Sequence, residues 1–174
     1  MKLSEVKVGQ IFKVGDVEFI KFSDIEGVTE VVTKDLIFKS EFGRNNNFAE
    51  SKILGKLRDE FLPKIADSIG IENICDINTD LTSLDGLKTY GSITSKISIP
   101  TFDFYRNNVE IFDKYEVDGW WWLATPDTTP EHYNDWWVRC VSPVGLIYID
   151  TYYNFNGVRP FLRFVSSISV SCEE

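Results

Sequence analysis

The tryptophans constrain the fold of this chain more than any other feature. All five lie between Trp120 and Trp137, within sequence that alternates apolar and polar residues as β-strands do. Because successive side chains of a strand point to opposite faces, Trp121 and Trp122 must lie on opposite sides of a sheet. We therefore expect an aromatic-rich β unit in which Trp121 and Trp122 belong to the core and Trp136 is the most exposed indole.

The N-terminal part of the sequence predicts β-structure followed by a helix. Alternating apolar residues flank the turn-forming pair Gly15-Asp16, which indicates a β-hairpin. Apolar residues then recur at helical spacing in Ala49–Phe61, so we expect a helix there. Pro63 is expected to limit that helix, because proline lacks an N–H and disfavours a helical conformation at the preceding residue. Lys64–Ile69 would then form a short second turn.

The remaining sequence predicts one more helix and a long run of strands. Residues 72–92 contain turn-forming pairs and are interpreted as a surface excursion. Thr101 is a suitable N-cap for a helix over Thr101–Phe112, and from Trp120 to Val170 the pattern is that of an antiparallel β meander. The predicted fold class is α+β, as a single domain over residues 1–174 with an N-terminal β part (1–47) and a second part (48–174).

Composition and charge limit the partners of the protein. The chain has 174 residues, with 27 acidic and 18 basic side chains and a formal net charge of −9. An acidic surface opposes contact with phosphate groups, so direct nucleic-acid binding is not expected, whereas a basic protein partner is compatible. No window approaches the ~18 apolar residues of a membrane span, so we expect no membrane association. The three cysteines are widely spaced and form no disulfide framework, which favours a reduced, cytosolic protein.

Two segments carry polar and aromatic side chains that are suited to recognition. The loop Asp127–Asp135 is acidic and contains the only histidine, and the hairpin Tyr148–Asn156 alternates aromatic and acidic residues. Tyrosine, tryptophan and asparagine favour recognition because they combine rigid contact area with adaptable hydrogen bonds. The hairpin residues fit an ordinary half-buried strand equally well. The candidate partner-binding residues are Asp127, Glu131, His132, Tyr133, Asn134, Asp135, Trp136, Tyr148, Asp150, Tyr152, Tyr153 and Asn154.

A second set of residues is expected to hold the core together. Gly157 allows a sharp turn into a strand, and Pro160 removes one donor from the strand ladder, which suits a strand end. Arg159 is expected to donate hydrogen bonds to main-chain carbonyls or to a carboxylate such as Asp150. We interpret five residues as structural, namely Trp121, Trp122, Gly157, Arg159 and Pro160.

The sequence contains no recognisable catalytic or metal-binding motif. Motifs for phosphate binding, dinucleotide binding, zinc proteolysis and serine hydrolysis are absent, and a single histidine leaves little choice of general base. His132, Cys75, Cys140 and Cys172 would make four zinc ligands, but none has the spacing of a zinc site, and Cys140 lies in an apolar strand. We therefore expect no enzymatic activity, no bound metal and no cofactor.

Three C-terminal motifs resemble an uncharacterised domain family of bacterial and phage proteins. That family has a WWLRS-type strand, a V…G hairpin and a closing GVRPAL strand, which correspond here to Trp121–Pro126, Val141–Gly145 and Gly157–Leu162. Ala124 and Phe161 depart from the family pattern, in which arginine and alanine are usual at these positions. The closing strand is also similar to that of C-type-lectin-like folds, which include variable proteins of diversity-generating retroelements and formylglycine-generating enzymes.

The resemblance implies a C-type-lectin-like scaffold that presents ligand-facing residues on its last strands and loops. We therefore expect a non-catalytic binding or display module of phage or mobile-element origin, which recognises a protein or a glycan. The alternative is an acidic, phage-encoded inhibitor with an anti-CRISPR-like action, which would cover the basic nucleic-acid-binding surface of a host defence nuclease. Either protein would be located in the cytoplasm of a bacterial host or in a phage particle.

Overall fold

The first sheet combines the N-terminal strands with the last strand of the chain. A computed structural model of the protein describes residues 1–172. Strands β1 (Ile11–Val14) and β2 (Val17–Ile25) form the predicted hairpin at Gly15, whose φ of 60° suits glycine. Strand β3 (Val28–Thr33) pairs with β2, and the last strand, β11 (Phe161–Val165), pairs with β3. The order is β1-β2-β3-β11, and every pair is antiparallel.

The second sheet contains the tryptophan-rich strands. Its order is β4-β10-β7-β8-β9, and the strands are β4 (Phe38–Ser40), β7 (Trp121–Pro126), β8 (Trp137–Val141), β9 (Ile147–Thr151) and β10 (Asn156–Val158). The predicted antiparallel meander is confirmed for β7, β8 and β9. It is wrong beyond them, because β10 pairs with β7 in parallel and β11 joins the first sheet. The closing motif therefore connects the two sheets.

The main helix continues past Pro63, so the prediction that it ends there is wrong. Helical residues run without a break through α1 (Lys52–Lys56), a π-helical turn (Leu57–Phe61) and α2 (Leu62–Ile69). In the π-helical turn, the Leu62 N–H donates to the Leu57 carbonyl, five residues back. This wider turn moves the backbone at the point where the ring of Pro63 would otherwise collide with the preceding turn.

Residues 72–92 include a strand and buried side chains, so the interpretation of this segment as a surface loop is wrong in part. Strand β5 (Ile77–Asp80) pairs with β6 (Ser92–Ser95) in an antiparallel hairpin. Ile77 and Leu81 are buried, so this segment contributes to the core through alternate residues. Short 3₁₀ turns complete the local structure at Leu3–Glu5, Phe48–Glu50 and Ile71–Asn73.

The predicted helix Thr101–Phe112 is divided in two. Helix α3 (Phe102–Asn107) begins after Thr101, whose hydroxyl accepts a hydrogen bond from the Phe104 N–H at 3.1 Å and so confirms the predicted cap. Helix α4 (Val109–Phe112) follows Asn108, which has non-helical backbone angles of φ −129° and ψ 20°. The Asn108 amide donates to the Phe104 carbonyl at 2.8 Å and thereby covers the end of the first helix.

Two clusters of buried side chains lie on the two sides of β7. Trp122 and Ala124 belong to the larger cluster, which packs against the main helix and one face of the first sheet. Trp121 and Leu123 belong to the smaller cluster, which packs against α3 and α4. The predicted α+β class, and the placement of Trp121 and Trp122 on opposite faces, are confirmed. None of the helices in residues 1–172 has the length and apolar character needed to cross a bilayer.

Candidate functional site

The two candidate recognition segments meet at one end of the second sheet. The loop Asp127–Asp135 leads into β8, and the turn after Thr151 leaves β9, which is the antiparallel neighbour of β8. The Tyr152 N–H donates to the Trp136 carbonyl at 2.9 Å, which joins the two segments directly. We call residues 127–136 together with residues 148–156 the display surface.

The display surface and the adjacent Trp120 carry all the exposed aromatic side chains of residues 1–172. The exposed fractions of these six side chains are 41% for Trp120, 67% for Tyr133, 54% for Trp136, 46% for Tyr148, 58% for Tyr153 and 67% for Phe155. As the sequence predicts, Trp136 is the most exposed of the five tryptophans, and Trp121 and Trp122 are fully buried. They do not form one patch, because Trp120 contacts Tyr148 near the Val141 end of β8, whereas Tyr133 stacks on Trp137 at its other end. Exposed aromatic side chains are nevertheless typical of interaction sites.

Sequence reasoning missed two of these aromatic residues. Phe155 lies between Asn154 and Asn156 in a polar turn, where an apolar ring has no strand neighbour to cover it. Trp120 precedes β7, and its ring packs edge-on against Tyr148 with centroids 4.9 Å apart. An aromatic residue inside an asparagine-rich turn was the available signal for Phe155, whereas no local signal distinguishes Trp120 from its buried neighbours.

Local contacts fix the aromatic rings in the loop. Tyr133 stacks on Trp137 with ring centroids 5.5 Å apart and an interplanar angle of 23°. The Asn134 side chain accepts a hydrogen bond from the Trp136 N–H at 3.0 Å, and the Asp135 carbonyl accepts one from the Asn46 N–H at 2.9 Å. Glu131 is exposed at the tip of the loop. Because the Tyr133 ring and the Trp136 backbone are held before any partner binds, less conformational entropy would be lost on recognition.

Three of the predicted recognition residues hold the display surface in place through internal contacts. The carboxylate of Asp127 forms an ion pair with Arg139 on β8. Asp150 accepts hydrogen bonds from the Thr151 N–H at 2.8 Å, from Asn154 at 2.5 Å and from Asn156 at 2.9 Å. The half-buried ring of Tyr152 packs against the larger core cluster.

The only histidine is held by an aspartate that is distant in sequence. His132 Nδ1 lies 2.7 Å from Asp85 Oδ2, and the Thr128 hydroxyl donates to the same oxygen at 2.7 Å. The Ser83 hydroxyl donates to the other carboxylate oxygen. Burial opposes ionisation of Asp85, but the hydrogen bonds from Ser83, Thr128 and His132 outweigh it and lower the pKa of Asp85 from 3.8 to about 2. Asp85 therefore anchors the loop of the display surface to the β5–β6 connection.

Replacing Asp85 with asparagine is expected to lower the free energy of unfolding. The loss should be largest above pH 3.8. The depressed pKa means that Asp85 stabilises the folded protein fully above 3.8 and loses this contribution as the pH falls through about 2. The difference between wild type and Asp85→Asn should therefore shrink as the pH falls, which urea denaturation over a pH series measures. Asp118→Asn, at an exposed aspartate, is the matched control. A difference that stays constant with pH would contradict this role of Asp85.

A shallow cavity of about 430 Å³ lies beside the Asp85–His132 contact. Its walls include the Tyr133 and Trp137 rings and Leu84, so they are mostly apolar. A flat aromatic wall beside a few polar groups suits the apolar face of a sugar ring or an apolar side chain of a protein.

The buried thiol of Cys140 lacks the properties of a nucleophile. Burial is the main cause that raises the pKa of Cys140 to about 12, so the thiol stays protonated at neutral pH. Within residues 1–172, no three His, Cys, Asp or Glu side chains are arranged to hold a metal ion.

Arg159 is buried in the core, as the sequence predicts. Of the two kinds of partner considered, its hydrogen bonds go to main-chain carbonyls. Its Nε donates to the Thr33 carbonyl at 3.1 Å and its Nη2 to the Lys34 carbonyl at 3.0 Å. Asp150, the carboxylate considered from sequence, instead binds the asparagines of its own turn. The guanidinium is stacked between Trp121 and Phe112, at 4.8 and 5.2 Å from the ring centroids.

The neighbours of Arg159 are also constrained. A Cβ on Gly157 would lie 2.4 Å from a methyl carbon of Leu36, so a larger residue at that position would have to displace the Leu36 side chain. The Pro160 carbonyl accepts a hydrogen bond from the Thr33 N–H at 3.1 Å. The motif Gly157–Pro160 therefore fixes the passage from the second sheet to the first.

Comparison of the chain with protein-family models, with curated proteins and with solved structures gave no match.

Proposed function

We propose that this protein is a non-catalytic binding module that recognises a protein or a glycan through its display surface. The observation that carries the proposal is that every exposed aromatic side chain of the described residues lies in the display surface or, for Trp120, beside it, whereas none of the exposed large apolar residues elsewhere is aromatic. Aromatic rings held on a rigid sheet contribute much contact area with little loss of entropy, which is typical of recognition surfaces. The candidate residues include Trp136, Tyr133 and Tyr153.

We further propose that the scaffold is C-type-lectin-like and of phage or mobile-element origin. Support comes from the motifs in Trp121–Pro126 and Gly157–Leu162, which resemble the bacterial and phage family described above. The second sheet, which carries the first motif and the start of the closing motif, has buried aromatic residues in its centre and polar loops at one end. Such a scaffold tolerates exchange of its surface side chains, because Arg159 and Trp122 hold the core independently of them.

The double variant Trp136→Ala/Tyr153→Ala is expected to weaken partner binding at least about tenfold, since each central aromatic residue of an interface typically contributes more than ~1 kcal/mol. Its melting temperature should stay close to that of wild type, because both rings are more than half exposed. Immobilised wild type and variant would be compared on a glycan array and with bacterial lysate, and dissociation constants would then be measured with the purified partner.

Ile25→Ala is the control, because Ile25 is 67% exposed at the end of β2, away from the display surface. It should retain every ligand that wild type binds. Equal binding by wild type and the double variant would contradict the proposed surface.

The second candidate function is inhibition of a host defence nuclease through its basic nucleic-acid-binding surface. It is supported by the net charge of −9 and by four exposed acidic residues in the short segment Glu110–Asp118, which are Glu110, Asp113, Glu116 and Asp118. An inhibitor that acts through these charges should lose affinity steeply as salt rises, whereas recognition led by aromatic residues should change little. Measuring affinity at low and high salt therefore separates the two functions.

A further inference from the structure

A second cavity lies at the opposite end of β8 and β9 from the loop of residues 127–136. Its volume is about 480 Å³, within the range of roughly 300–1,000 Å³ that is typical of small-molecule sites. The turn Ser142–Gly145, which joins β8 to β9, forms one side, and helix α4 with the segment after it forms the other. We call this space the Arg159 cavity, because the Arg159 side chain lines it.

Arg159 is a buried cation that lacks a carboxylate partner within the described residues. Only 1% of the residue is exposed, and its two hydrogen bonds go to main-chain carbonyls. These bonds use two of the five N–H groups of a guanidinium. No acidic side chain of residues 1–172 lies within 4.0 Å of the guanidinium nitrogens, the distance of an ion pair. The charge of Asp35 favours this cation from a distance, but no carboxylate contacts it, so its remaining N–H groups are suited to an anionic ligand.

Aromatic rings enclose this cation, and a buried hydroxyl lines the same cavity. The rings of Trp121 and Phe112 enclose the guanidinium and also line the cavity, together with Val141. The buried Ser142 hydroxyl accepts a hydrogen bond from the Leu146 N–H at 3.1 Å, and its own O–H is a further donor for a ligand oxygen. The inner part of the cavity therefore suits a carboxylate followed by an apolar body.

The outer part of the cavity is lined by negatively charged side chains, whereas Arg159 in the inner part is positively charged. Asp113 and Glu116 line it and are both exposed. Asp113 Oδ1 lies so close to the turn that a Cβ on Gly145 would be 3.0 Å away from it. The Tyr105 hydroxyl, which donates to the Gly145 carbonyl at 2.7 Å, lies beside the same carboxylate. These acids repel a simple anion at the entrance but attract a ligand that also carries an ammonium group.

We propose that the Arg159 cavity binds a small zwitterion with an aliphatic body between its charged groups, such as an ω-amino acid, whose carboxylate pairs with Arg159 and whose ammonium group pairs with Asp113 and Glu116. The carboxylate supplies the missing partner of the buried cation through charge-assisted hydrogen bonds. The ammonium group offsets the repulsion at the entrance. This site does not depend on the display surface, and either one can be correct without the other.

Three probes of equal chain length test the proposal by isothermal titration calorimetry on the full chain. These are 6-aminohexanoate, which has both charged groups, hexanoate, which has only the carboxylate, and hexylamine, which has only the ammonium group. We expect 6-aminohexanoate to bind about five- to tenfold more tightly than hexanoate, since ion pairs at an exposed rim contribute up to about 1 kcal/mol each. Hexylamine should bind least, because its charge is the same as that of Arg159. Failure of all three to bind at up to roughly 50 mM would overturn the proposal.

Two further measurements locate the binding without disturbing the core. The double variant Asp113→Asn/Glu116→Gln changes exposed side chains only, so it should fold normally and bind hexanoate and 6-aminohexanoate equally. In nitrogen-detected NMR, the Arg159 Nε–H signal should shift in wild type when 6-aminohexanoate is added. An unchanged Arg159 signal, or a preference for 6-aminohexanoate that persists in the double variant, would overturn the assignment.

Discussion

Arg159→Ala is expected to lower the free energy of unfolding by about 3–5 kcal/mol, because hydrogen bonds and ring contacts of a buried cation are lost together. Two charge-assisted hydrogen bonds to the Thr33 and Lys34 carbonyls are lost, each worth about 1.5–3 kcal/mol. The contacts with the rings of Trp121 and Phe112 are lost as well, and a cavity remains between them. Relief from burying a cation offsets part of this cost, so the expected loss is smaller than the sum of the contacts.

Arg106→Ala is the matched control for this prediction. Arg106 also lies over an aromatic ring, that of Phe102 at 5.4 Å, and pairs with Asp103 at 3.1 Å, but its side chain is 59% exposed. Its removal should cost less than about 1 kcal/mol, because exposed ion pairs and cation–π contacts are screened by water. Urea denaturation of both variants measures the difference. Equal stability of the two variants would contradict a structural role for Arg159.

Local patterns in the sequence predicted those parts of the fold that depend on neighbouring residues. Alternation along β7 correctly separated Trp121 from Trp122, because the pleat of a strand leaves no alternative. The hairpin at Gly15 and the cap at Thr101 also followed from residues close in sequence. Each of these features depends on backbone geometry within a few residues.

Features that depend on distant contacts could not be predicted. The helix passes Pro63 because a π-helical turn accommodates the ring and because packing of this helix against both sheets favours continuing it. The parallel pairing of Gly157 with Trp121 joins strands far apart in sequence. Strand β11 leaves the meander because its alternate residues complete the first sheet.

In the candidate site, too, features set by neighbouring residues could be predicted from the sequence, and features set by distant contacts could not. Exposure of Trp136 followed from alternation, since Trp136 and Trp137 must point apart. The role of Asp85 could not be predicted, because 47 residues separate it from His132. The Arg159 cavity depends on α4, the turn Ser142–Gly145 and the closing motif, three segments whose proximity is a consequence of the complete fold.

Trp122→Ala is expected to lower the free energy of unfolding by about 3–5 kcal/mol, whereas Trp136→Ala should change it by about 0.5 kcal/mol or less. Trp122 is fully buried, its ring packs edge-on against Phe42 at 5.5 Å, and its Nε1–H donates to the Ser40 carbonyl at 2.9 Å. Alanine would leave a large cavity in the bigger core cluster and a buried carbonyl without this donor. Trp136 has the same side chain but is 54% exposed, so it is the matched control.

The same pair of variants separates the core from the surface in a single comparison. Trp136→Ala should keep the wild-type melting temperature, because its ring is more than half exposed, and under the proposed function it should weaken partner binding. Trp122→Ala should melt at a lower temperature, by about 2–4 °C for each kcal/mol lost, and should still bind the partner at temperatures where it remains folded. Thermal denaturation and binding measured on the same samples test both statements. If Trp136→Ala destabilised the protein as much as Trp122→Ala, the division of the tryptophans into core and display surface would be wrong.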